Sequence, residues 1–240
     1  FLDSCFNIEK LRNSMAAKLQ ASVSVLALGV ALVSGSALAY EQGDMVLRGG
    51  IAMVDPDASS SPLAINGSEV AGTSVDVDDN TQLGITFTYM LSDDVGVEVL
   101  AATPFSHTVS AKGLGDEFDA IDLKHLPPTV SVQYFPMDSA AKFQPYVGVG
   151  LNYTIFFDEE LTSEFKANVD DGSVKLDDSF GLAFELGCDY ELSDNLVLNA
   201  AIWTIDIDTE ATIKLDSGAK VTTDVDIDPL VYMVGVGYKF

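Results

Sequence analysis

From residue 44 to residue 240 the chain falls into eight stretches in which apolar residues alternate with polar or small ones, and a period of two sends successive side chains to opposite faces of a strand. The last stretch is the plainest. Tyr232, Val234, Val236, Tyr238 and Phe240 share one face, while Val231, Met233, Gly235, Gly237 and Lys239 share the other. One face is apolar with aromatics near both ends; two glycines and a lysine do not make a close-packed core on the other. Such a strand fits either the lipid-facing wall of a transmembrane β-barrel or the end of a soluble sandwich.

The other seven stretches decide between them. Asp44–Val54 alternates Met45, Leu47, Gly49, Ile51 and Met53 with Val46, Arg48, Gly50 and Ala52. Thr81–Leu91 sets Leu83, Ile85, Phe87, Tyr89 and Leu91 against Gln82, Gly84, Thr86, Thr88 and Met90. Val95–Phe105 sets Val95, Val97, Val99 and Ala101 against Gly96, Glu98, Leu100 and Ala102, and Pro128–Phe135 points Val130, Val132 and Tyr134 outward. Phe143–Phe156, Ser179–Glu191, Leu196–Ile207 and about Ile227–Phe240 complete the eight. Short turns at Ser92–Asp94, Pro136–Ala141 and Ser193–Asp194 alternate with long polar connections at Asp55–Asn80, Ser106–Pro127, Phe157–Asp178 and about Thr209–Asp226. A sandwich does not require that alternation; a transmembrane barrel with short periplasmic turns and long outer loops does.

Ahead of the strands, Phe1–Ser14 reads as an upstream extension. Residues 15–39 read as a cleaved signal peptide, with Lys18 in its n-region, an apolar run from Leu19 to Val33 and a small-x-small site at Ala37-Leu38-Ala39. The barrel is then expected over residues 40–240. Without residues 1–39, which hold three basic and two acidic side chains, 9 basic and 35 acidic ones remain, a net charge of −26. That acidity excludes nucleic acid as a partner, and excludes adhesion to anionic lipid through a basic face. Cys188 is left without a second cysteine, so no internal disulfide is expected. No cofactor motif is present.

Several segments resemble the outer-membrane protein W (OmpW) family: Asp79–Met90, Ala101–Phe105, His125–Thr129, Pro145–Thr154, Asp206–Thr209 and the terminal Gly237–Phe240, in order along the chain. The resemblance implies an all-β, eight-stranded antiparallel barrel in the outer membrane of a Gram-negative bacterium, with a hydrophobic lumen for passive passage of small hydrophobic molecules. Expected partners are those molecules, outer-membrane lipids, lipopolysaccharide and the barrel assembly machinery. For the last of these, Tyr232, Val236, Tyr238 and the terminal aromatic Phe240 resemble a C-terminal assembly signal.

An eight-stranded barrel is wide enough for side chains or one small ligand, not for an open water column. Alternation turns Arg48, Met90, Glu98, Gln133, Glu185, Leu100 and Trp203 into the lumen. The seventh strand reads in either direction, and Asn199 is assigned inward because asparagine is costly in lipid; Trp203 follows it. Leu100 and Trp203 are expected to form an apolar constriction. An apolar guest has little reason to leave through water, so Pro104, Pro127 and Pro128, which cannot donate ladder hydrogen bonds, mark a candidate side opening or simply strand ends. Two alternatives stay open. Arg48 with Glu98 or Glu185 could plug the lumen, leaving a scaffold that presents acidic loops for adhesion or receptor contacts. His107 and His125, the two histidines of the chain, lie near the ends of one connection and could serve with Ser106 in a lipid-modifying enzyme, or hold a metal; neither has a signature spacing, and no catalytic or metal residue is assigned.

Overall fold

The computed structural model describes residues 40–139 and 141–240; the expected upstream extension and signal peptide lie outside the described residues. The chain runs through β1 (Met45–Asp55), β2 (Ser59–Ser60), β3 (Ala64–Ile65), β4 (Ser68–Glu69), β5 (Ser74–Val77), β6 (Asn80–Met90), β7 (Val95–Ala102), β8 (Phe105–Lys112) and β9 (Phe118–Leu126). It continues through β10 (Thr129–Tyr134), β11 (Phe143–Leu161), a short helix α1 (Ser163–Asn168), β12 (Gly172–Leu176), β13 (Ser179–Ser193), β14 (Leu196–Ile205), β15 (Asp208–Leu215), β16 (Lys220–Asp226) and β17 (Leu230–Lys239). No helix among the described residues is long and apolar enough to cross a membrane.

Eight strands close a ring in the order β10, β7, β6, β1, β17, β14, β13, β11 and back to β10, every neighbour antiparallel. The first and last barrel strands seal it through ten residue pairs, from Val46–Lys239 to Asp55–Leu230. Closure leaves the barrel no open edge, which is what lets a β-structure cross lipid. The outer faces carry Leu83, Ile85, Val130, Val132, Val147, Val149, Leu182, Phe184 and Val234, all exposed. So large a greasy surface would drive a soluble protein to aggregate; here it meets lipid tails. Tyr153, Phe180 and Tyr232 ring the outer end of this band, and Tyr89, Tyr134, Phe143, Tyr238 and Phe240 the periplasmic end.

The four connections expected as long polar loops are strands instead. β8 and β9 form a hairpin above the barrel that pairs with the upper part of β11 and with β5. β12, β15, β16, β3 and β4 form a second sheet, with β2 against β16. The physical reason is a second alternation: Phe105, His107, Val109 and Ala111 face inward on β8, with Ser106, Thr108, Ser110 and Lys112 outward. The polar outer set dominates composition, but the inner set supplies an apolar face that must be buried. α1, closed at its start by the Thr162 hydroxyl accepting from the Phe165 amide, packs Phe165 against Phe118.

Candidate functional site

The lumen is layered. In its periplasmic half, Arg48 on β1 is fully buried and sits in a network drawn from seven of the eight walls. Its Nη2 donates to Asp189 Oδ2 of β13 at 2.6 Å, its Nη1 to Thr88 Oγ1 of β6 at 2.7 Å and to Glu98 Oε2 of β7 at 3.3 Å. Asn199 on β14 donates to Asp189 and to the Tyr146 hydroxyl of β11, each at 2.9 Å. Gln133 on β10 accepts from Thr88 at 3.1 Å and donates to Glu185 of β13 at 3.0 Å. The eighth wall, β17, contributes glycine: a Cβ on Gly237 would lie 2.9 Å from Arg48 Cγ, so only a bare backbone leaves room for the guanidinium stem. Beneath this belt, Tyr40 donates to Asp189 at 2.5 Å and packs on Phe135, which packs on Tyr146, each pair with ring centroids 5.1 Å apart. Met90, fully buried, fills the periplasmic end of β6.

Charges this deep are stable only when paired and hydrogen-bonded. The sequence reading paired Arg48 with Glu98 or Glu185. Glu98 is correct; Glu185 bonds to the Gln133 amide, and Asp189 is the main partner of Arg48. Asp189 stands three strands round the ring from Arg48, a neighbour that only the stagger of the closed barrel brings within reach.

That stagger also sets the position of the two expected constriction residues. Followed across successive pairs through Thr86, Arg48, Gly237 and Val197, Leu100 leads to Glu191 on β13; followed the other way through Thr129 and Asn152, it leads to Gly181. Residues 181 and 191 are ten apart, the shear of the barrel. β7 and β14 are four strands apart in either direction, so the level of Leu100 on the facing wall falls half that stagger beyond Val197, between Ala201 and Trp203. Leu100 and Trp203, 5 % and 1 % exposed, thus face each other across the lumen above the polar belt. The indole Nε1 of Trp203 has no hydrogen-bond partner among the described residues.

The three prolines lie where the wall changes. The β7–β10 ladder ends at Leu100–Thr129 and the β8–β9 ladder begins at Phe105–His125. Residues 101–104 and 126–128 between them have no pairing to each other. One side is held by the Thr103 amide donating to the Leu83 carbonyl and the Thr103 hydroxyl donating to Gln82; the other by Asn152, whose Nδ2 donates to the carbonyls of Pro127 and Pro128 at 3.1 and 3.3 Å.

Above the barrel the inner faces of both upper sheets enclose an apolar vestibule of about 100 Å³, walled by Val109, Leu123, Phe156, Leu176, Ile207 and Val225 among others. Most of its side chains came from segments read as loops, with Val54, Phe156, Ile207 and Ile227 at the ends of expected strands, and the overlooked signal was the alternation within those loops. His107 and His125 also line it, with their Nε2 atoms 3.0 Å apart. Burial lowers both imidazoles; for His125, burial and then the neighbouring His107 bring it to about 3. Ser106 lies on the opposite, solvent-facing side of β8, so no serine–histidine pair is assembled, although Asp78 Oδ1 stands 3.6 Å from His107 Nδ1. On the outer rim, Asp206, Asp208 and Asp228 each bring a carboxylate oxygen within 4.8 Å of the others. The expected terminal signal residues Tyr232, Val236, Tyr238 and Phe240 all face outward, and the Phe240 amide donates to the Met45 carbonyl at 2.9 Å.

The sequence profile of the OmpW family matches residues 41–240. The outer membrane protein W of Vibrio cholerae is 48% identical over 217 residues, covering 90% of this chain and 97% of that protein. The crystal structure of the outer membrane protein OprG from Pseudomonas aeruginosa superposes with a TM-score of 0.81 at 51% identity, covering 85% of this chain and 98% of that one. The solid-state NMR structure of the outer membrane protein AlkL in DMPC lipid bilayers gives a TM-score of 0.62 at 25% identity, covering 89% and 95% of the two chains.

Proposed function

The chain belongs to the OmpW family of Gram-negative outer-membrane β-barrels, and on that premise we propose that it passes small hydrophobic molecules from the outer medium into the membrane itself. The guest enters the apolar vestibule, descends to Leu100 and Trp203, and leaves sideways near Pro104 and Pro127–Pro128. The observation that carries this reading is the apolar vestibule stacked over a hydrogen-bonded polar belt. An apolar molecule gains about 25 cal/mol for each Å² it withdraws from water in such a vestibule. Crossing the belt instead would break charged hydrogen bonds worth about 1.5–3 kcal/mol each. The low-cost exit is the stretch of wall where ladder pairing lapses, because lipid on the far side receives the guest without rehydration.

The test is transfer of an apolar fluorophore into vesicle bilayers containing the refolded chain. Leu100→Arg, which sets a charge in the descent path, is expected to cut the protein-dependent rate to near that of empty vesicles. Unchanged transfer by a folded Leu100→Arg barrel would overturn the reading. The same belt also favours a second reading, a closed scaffold that presents its acidic rim for adhesion or receptor contacts. In that case the wild-type chain transfers no faster than empty vesicles.

A further inference from the structure

The vestibule is apolar almost throughout; apart from Thr209, Thr222 and Thr223, of which Thr209 and Thr223 donate their hydroxyls to backbone carbonyls, its histidine pair is the exception. Asp78 offers His107 Nδ1 its backbone carbonyl at 2.6 Å, and a carbonyl has no proton to give. His107 Nδ1 therefore carries the hydrogen. Burial keeps both rings neutral, so His107 Nε2 is a bare lone pair. The 3.0 Å contact between the two Nε2 atoms needs one proton, and His125 must supply it. A neutral imidazole has one N–H, which leaves His125 Nδ1 as an acceptor. No hydrogen bond to that nitrogen is made by any described residue, and it is not among the fully enclosed orphan atoms. Phe105 and Phe156 pack on the His125 ring, at centroid distances of 5.4 and 6.0 Å, and fix its orientation. His125 lines the vestibule, whereas the polar cleft on the outside of the same hairpin is lined by His107 and not by His125.

We propose that the vestibule selects hydrophobic molecules bearing a single hydrogen-bond donor, alcohols and phenols above all, by accepting that donor at His125 Nδ1. The proposal rests on the vestibule being the entry site for small apolar guests and adds the class of guest it prefers. A hydrocarbon fills the same space but leaves the acceptor unmet. A ketone or ether presents acceptor to acceptor and gains nothing. A hydroxyl gives up water on entering and regains one bond, where a competing hydrocarbon regains none.

The experiment uses the refolded chain in vesicles with three probes of similar size: 4-methylphenol, p-xylene and 4-methylanisole. Binding is read from the resonances of ¹⁵N-labelled histidine and from saturation of the vestibule, and each affinity is referred to the probe's own partition into empty vesicles. One added neutral hydrogen bond of about 1 kcal/mol predicts about a fivefold preference for 4-methylphenol on that scale. His107→Phe with His125→Phe, which leaves no bare ring nitrogen in the vestibule, should remove the preference and bring 4-methylphenol and p-xylene to equal referred affinities. In the free protein, the ¹⁵N shifts should show His125 protonated at Nε2 and His107 at Nδ1, a measurement that needs no variant. Equal referred affinities for the three probes, or a proton found on His125 Nδ1, would overturn the proposal while leaving the vestibule as an entry site. Binding of none of the three would overturn both.

Discussion

Arg48 Nη2 and Asp189 Oδ2 meet at 2.6 Å inside the barrel, joining β1 to a wall three strands away. Removing either partner strands a buried charge. Asp189→Ala is expected to destabilise the barrel by about 3–5 kcal/mol, read from urea unfolding in vesicles. Arg48→Met combined with Asp189→Leu and Glu98→Gln, which leaves charged neither carboxylate that the guanidinium held, should recover much of that loss, since none of the three charges is then left to desolvate. A triple variant as unstable as Asp189→Ala alone would show that the belt does more than balance charge.

Asn152 holds the Pro127–Pro128 side of the unpaired wall. Asn152→Leu leaves the Pro127 carbonyl and the hydroxyls of Thr129 and Thr154 without their amide partner. The expected cost is about 1–3 kcal/mol, with faster amide exchange at Leu126, Thr129 and Val130, which flank the two prolines, than elsewhere in β9 and β10. If the exit lies there, apolar-probe transfer should rise in the same variant.

The vestibule should weaken in acid. Both histidines sit below their ordinary value in the folded chain, His125 at about 3, against about 6.5 when unfolded. Above pH 6.5 the rings are neutral in both states. As pH falls from 6.5 toward 3 the unfolded segment binds protons that the folded one refuses, so stability declines at up to about 1.4 kcal/mol per pH unit for each proton. Proteolysis of the β8–β9 hairpin should accordingly increase over that window in the wild type, and less in His107→Phe with His125→Phe.

The barrel was legible in the sequence because a half-buried strand writes its two faces into alternate residues. That rule set Leu100 and Arg48 in the lumen, and with the cost of placing Asn199 in lipid it turned Trp203 inward as well. It failed where both faces of a segment are chemically mixed. Ser106, Thr108 and Ser110 hid the inward His107 and Val109, so much of the vestibule wall passed for loop. It failed also for Asp189, which by the period of two shares the inward face of its strand with Glu185 but whose partner alternation does not name. Partners across a barrel depend on its shear, and shear is a property of all eight registers together.

Deleting Phe240 tests the terminal strand separately. Its amide bond to Met45 is one of many along β1–β17, so the folded barrel should lose little stability in vesicles. If the outward aromatic serves recognition by the assembly machinery, the level of barrel in the outer membrane should fall far more than that stability. Equal losses would make Phe240 a structural residue only.

The most direct test of the account uses Trp203, the one tryptophan of the chain, as its reporter. The refolded protein is placed in vesicles, and indole quenching is compared between lipids brominated on their tails and a small brominated apolar guest added from outside. The account predicts weak quenching by the tails and strong, saturable quenching by the guest, which Leu100→Arg abolishes. Strong tail quenching with no response to the guest would contradict it, leaving a closed barrel that carries an acidic rim.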